Sequence, residues 1–171
     1  MIRRRILLNS EKKNKKLYLY NYGDECTSLT GGWPPNKFYS KRYGQMYNDE
    51  IVKESDHLHF DSRLHTSWNW GWSVIGCLNP INTVGYSKLC WLTQANAYEN
   101  MKPSLRITNG YDFDNGSYAQ LTCAPNGASQ YNPESKEWID LSERQGNYYI
   151  CIADTSGAST SLIDVYAVWL E

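Results

Sequence analysis

Phenylalanine is scarce in this chain, with 3 residues against 14 tyrosines and 7 tryptophans. Its aromatic content is therefore almost entirely of the kind with an apolar body and a polar tip, which suits half-buried sheets, binding faces and interfaces. No apolar run approaches the ~20 residues of a membrane-spanning helix. The start, "MIRRRILLNSEKKNKKLYLY", has only three apolar residues behind its arginines. A secretory signal needs an apolar stretch of about 7–15. A protein made in a cytoplasm, and soluble there or assembled into something there, is expected.

No excess of either charge is present over the whole chain, where 17 Lys and Arg face 18 Asp and Glu. That balance excludes a generic nucleic-acid binder, which would carry a basic face. Cysteine pairing of the CxxC kind is absent. Cys26, Cys77, Cys90, Cys123 and Cys151 are an odd number at irregular spacing. Zinc sites of the common kinds need closely spaced ligand pairs, so free thiols are expected, with Cys90 and Cys151 in the core. Nor is there a G-x-S-x-G elbow, a P-loop or a G-x-G-x-x-G turn. Carboxylates such as Glu134, Glu137, Asp140 and Glu143 are plentiful, but nothing in the sequence pairs two of them across a cleft. No catalytic residue, no cofactor and no metal is assigned, and the protein reads as a non-enzyme.

What is present divides into two parts. Residues 1–16 hold seven of the 17 positive charges and only Glu11 in opposition. They read as a basic arm, leaving residues 17–171 as a net acidic globular domain. From residue 17 onward, strand-length aromatic and apolar runs alternate with Gly, Pro, Asn and Asp. These runs are 16–21, 50–62 (two strands around Glu54 to Asp56), 67–76, 87–96, 104–109, 117–124, 137–142, 146–154 and 161–171. Such spacing predicts an all-β antiparallel sandwich or barrel. "YYICIA" and "LIDVYAVWL" are apolar on both alternating faces and are expected to be central strands. A central last strand fits jelly-roll or Greek-key wiring better than a meander.

The stretch "SWNWGWS" places Trp68, Trp70 and Trp72 at every second position, on one face of a strand. The other face holds only Ser67, Asn69, Gly71 and Ser73. Because a sandwich strand buries one face, the stripe reads first as a wall of the core or a subunit interface. The competing reading is a glycan platform of Trp68, Trp70, Trp72 and Tyr43, with Asn and Asp side chains reading hydroxyls. "DHLHF" sets His57 and His59 on one strand face with His65 nearby, read here as sheet-surface histidines and not metal ligands. "NGYDFDNGS" offers Asp112 and Asp114 but lacks the ligand spacing of an EF-hand, and reads as an Asx-rich turn.

The segments "RRRILL", "LYLYNYGDECTSLTGGW", "GYSKL", "IDLSERQGNYYI" and "VYAVWLE" resemble small virion proteins of tailed bacteriophages and the modular domains attached to them. The resemblance implies a galactose-binding-like jelly-roll sandwich behind the basic arm, and a virion structural component of the head surface or tail, assembled in the host cytoplasm. In that setting Arg3, Arg4 and Arg5 would dock on carboxylates of other virion proteins, and the domain could assemble with itself, as in a trimer. The alternative is a carbohydrate-binding module that adheres to host or mucosal surface glycans. Neither reading involves nucleic acid or membrane.

Overall fold

The computed structural model describes residues 16–40, 46–47, 51–61, 71–97, 104–110, 117–122, 135–156 and 161–171. Among them, in chain order, are β1 (Leu17–Asn21), the single helical turn α1 (Thr27–Thr30), β2 (Pro35–Ser40), β3 (Met46–Tyr47), β4 (Ile51–Lys53), β5 (Leu58–Asp61) and β6 (Gly71–Gly76). There follow β7 (Ile81–Asn82), β8 (Lys88–Ala97), β9 (Ser104–Thr108), β10 (Ser117–Thr122), β11 (Ser135–Asp140), β12 (Asn147–Ser156) and β13 (Ser161–Leu170).

All pairings are antiparallel. One sheet runs β11-β8-β13-β5-β4 and the other β10-β9-β12-β6-β2-β3. Stripped to the strands β5, β6 and β8–β13, these orders are two four-stranded sheets between which the chain repeatedly crosses. That is the wiring of a jelly roll. β12 and β13 are the central strands, as their two-sided apolar pattern predicts. Each is too long for one neighbour on one of its edges. β5 and β1 lie in tandem along β13, and β6 and β7 lie in tandem along β12.

The inward faces of both sheets form the main core. Leu89 and Trp91 of β8, Leu105 and Ile107 of β9, Ile150 and Ile152 of β12, and Ile163, Val165, Val168 and Leu170 of β13 all belong to it. The second faces of the central strands are covered by smaller clusters. Val74, Cys151 and Ala153 pack together on one sheet, and Cys90, Ala167 and Trp169 on the other. Cys90 and Cys151 are thus buried as expected, but in these outer clusters. Burial pushes the Cys77 and Cys90 thiols up to about 11 and raises Cys151 as well, so all three are held as unreactive thiols.

Sequence reading passes over α1, β2, β3 and β7. Two of these are two-residue strands, and β2 opens on Pro35, a residue confined to strand starts and edges because it lacks a donor. The run 87–96 is strand β8, which continues to Ala97.

Replacing Ile152, fully buried between the sheets, by Ala should cost about 2–5 kcal/mol in urea unfolding. Val84→Ala, at a side chain 60% exposed, should stay within about 0.5 kcal/mol of the parent.

Candidate functional site

Among the described residues, the outward face of the sheet built on β13 carries the exposed rings of Tyr18 and Trp138 together with a cluster of polar side chains. Its geometry follows from register. Trp138 pairs with Cys90, Cys90 with Trp169, and Trp169 with Tyr18, so one row crosses β11, β8, β13 and β1. Three strand spacings make this row about 14 Å long. Its two ends are open, Trp138 at 50% and Tyr18 at 37% exposure, while Trp169 between them is buried. The Trp169 ring is covered by Tyr18, at 5.9 Å between centroids, and by the ammonium groups of Lys16 and Lys136 at 5.0 and 5.2 Å.

A second row is polar. Gln94 pairs with Asp164, Asp164 with His59, and His59 with Val52. His59 Nδ1 lies 2.6 Å from Asp164 Oδ1, and His57 Nε2 lies 3.5 Å from the same oxygen. On its other side His57 Nδ1 meets Asp56 Oδ1 at 2.7 Å. Tyr166 adds a ring beside the polar row. A bulge between Val165 and Ala167 adds it to β13 as the unpaired residue, as bulges do when they re-aim a side chain. Its hydroxyl donates to Gln94 Oε1 at 3.0 Å, and its ring lies 5.5 Å from His57 and 5.9 Å from Tyr22.

Two turns hold this corner in place. The β4–β5 hairpin closes through Glu54 N–H to the His57 carbonyl at 2.9 Å. The turn after β1 abuts it at Gly23, whose φ is +89° and where a Cβ would stand 2.2 Å from the Ser55 carbonyl oxygen. Only glycine meets both demands.

Charge at the aromatic row centres on Glu171. Its carboxylate accepts from Trp169 Nε1 at 3.0 Å and faces Lys136, Lys88 and Lys16 at 3.2, 3.7 and 4.0 Å. The Trp169 N–H, then Lys136, hold its pKa below the ordinary carboxylate value. Lys88 also lies 4.8 Å from the Trp138 ring centre. Three ammonium groups around one carboxylate leave the row net positive.

The residues singled out from sequence fall differently. Trp68, Trp70, Tyr43, His65, Asp112, Asp114 and Arg3, Arg4 and Arg5 lie outside the described residues. Trp72 lies on β6, paired with Thr155 and with Tyr39. His57 and His59 do share a corner of the sheet. Asp164, Tyr166 and Trp138 were missed. Alternation alone marks Asp164 as the polar position between Ile163 and Val165, but its partners lie 105 residues away in the chain.

Gly23→Ala should destabilise the fold by at least about 1 kcal/mol in chemical denaturation. For Glu171, a folded pKa below the unfolded one contributes stability above the unfolded value, lost as pH falls through the folded one. The melting-temperature gap between the parent and Glu171→Gln should therefore be present at neutral pH and close in acid. A gap that persists through the carboxylate range would refute this assignment.

No family model matches the chain, and no curated protein matches it. Among solved structures it is similar to a cleaved adhesin domain of Lys-gingipain from Porphyromonas gingivalis, at 13% identity and TM-score 0.47, over 92% of this chain and 98% of that one. The carbohydrate-binding module TmCBM61, in complex with β-1,4-galactotriose, aligns at 8% identity and TM-score 0.45, over 88% and 97%. A family 29 carbohydrate-binding module from Piromyces equi aligns at 9% identity and TM-score 0.44, over 91% and 89%. None of these three is a virion protein, and likenesses of this strength carry no functional assignment.

Proposed function

We propose that the protein is a non-enzymatic adhesion module that binds surface glycans across the outward face of the β13 sheet. The observation that carries this reading is the row from Trp138 to Tyr18, with two exposed rings at the ends of a polar-flanked sheet face. Apolar faces of sugar rings stack on indole and phenol rings, and neighbouring charged and polar groups satisfy the hydroxyls. The row's length, about 14 Å, suits a short oligosaccharide lying across the strands. Lys16, Lys88 and Lys136 outnumber Glu171, which favours glycans bearing carboxylate or sulfate groups over neutral ones.

This is the second of the two readings that the sequence supports. The first, docking of Arg3, Arg4 and Arg5 on another virion protein, draws on residues outside the described ones. The glycan surface proposed here also differs from the platform of Trp68, Trp70, Trp72 and Tyr43, which is the competing reading of that stripe in the sequence.

Titration calorimetry with an acidic and a neutral polysaccharide of matched length tests the assignment. The acidic one should bind more tightly, and the difference should shrink with added salt. Trp138→Ala should weaken binding by about tenfold or more, equivalent to about 1.4 kcal/mol, with an unchanged melting temperature. Affinity for glycan equal to the parent's in both Trp138→Ala and Tyr18→Ala would remove this face as the site.

A further inference from the structure

We propose that His57, His59 and Asp164 form a divalent transition-metal site, filled best by zinc. One ligand atom from each of the three lies within 4.8 Å of the others. All three are half-buried, with side-chain exposures of 21%, 30% and 18%. Two imidazoles and one carboxylate are the donor set of open zinc sites, which keep three protein ligands and a free position.

The geometry supports more than proximity. Both imidazoles converge on the same oxygen, Asp164 Oδ1. The His57 Nε2 separation of 3.5 Å is close to a tetrahedral edge, about 3.4 Å for bonds of 2.0–2.2 Å. The His59 Nδ1 contact at 2.6 Å is a hydrogen bond that a metal would replace, opening the pair by roughly 1 Å or less. Asp56 completes the set without touching the ion. Its carboxylate, 2.7 Å from His57 Nδ1, accepts a hydrogen bond from the N–H at that nitrogen and so leaves the Nε2 lone pair facing Asp164. A carboxylate behind a ligating histidine is the usual way such rings are oriented. The site would clip the β4–β5 hairpin onto β13 and leave at least one coordination position for water or a ligand oxygen.

Sequence reading assigns no metal because histidines two apart on a strand are common, and Asp164 lies 105 residues from His59 in the chain. The inference stands apart from the glycan reading, since Trp138 and Tyr18 lie on the other row, and either can fail alone. The test titrates the full chain, freed of metal by chelation, with Zn²⁺ against a chromophoric chelator. One zinc per chain is expected. Asp56→Asn, at a side chain 60% exposed, should weaken binding about 10–100-fold by loss of orientation alone, and Asp164→Asn at least as much. The Co²⁺-loaded protein should show visible d–d bands and no thiolate charge transfer in the near ultraviolet. The proposal is overturned by binding well below one zinc per chain, by an affinity indifferent to both substitutions, or by a thiolate band that places the ion on cysteine. Should Asp164→Asn fail to fold, Asp56→Asn and the cobalt spectrum still decide.

Discussion

Backbone hydrogen bonding along β13 is the constraint on which the rest of this structure depends. A ten-residue strand buried at the centre of a sheet must satisfy its N–H and C=O groups on both edges. β8 does this along one edge, whereas the other is shared by β5 and β1. That sharing brings the first strand of the domain and the β4–β5 hairpin onto one surface. The bulge at Tyr166 falls near the junction, between the stretch of β13 paired with β5 and the stretch paired with β1. Past it the inward parity shifts from Val165 to Val168, so the polar row and the aromatic row occupy the same outward face although they sit on different registers.

Central strands with apolar residues on both faces need cover on both. The main core covers one face of β13, and Cys90, Ala167 and Trp169 lie on the other. Trp169 is buried there beneath a tyrosine ring and the ammonium groups of two lysines, which lie over its indole. The same requirement that hides Trp169 therefore leaves Tyr18 and Trp138 at the margins, where a ligand can reach them.

Fold class was legible in the sequence because it depends on local periodicity. Strand-length runs separated by turn residues indicated the antiparallel sandwich, and the two-sided apolar pattern of 146–154 and 161–171 marked the central strands. Short and Pro-led strands escaped because two residues carry no period and a leading proline hides one. The candidate site was far less legible, since it is made by register between distant strands. Asp164 and His59 share no local signal, and Trp138 is a single exposed ring in an edge strand. The tryptophan stripe drew notice because it is local. Local conspicuousness is a property of the chain, while a binding surface is a property of the pairing.

Outward sheet faces in a sandwich normally carry scattered polar side chains that need no explanation. This one differs in that its groups are already engaged with one another. Asp164 Oδ1 is addressed by two histidines, Tyr166 by Gln94, and Glu171 by three lysines and an indole. Mutual engagement orders these side chains before any partner arrives, so the entropy of fixing them is spent in folding rather than in binding. It also sets the terms of recognition. A ligand gains only where it offers more than the contacts it displaces, which for the lysines means a further anion and for the two imidazoles a cation with empty orbitals. The two ends of the face thus select opposite chemistries from one sheet.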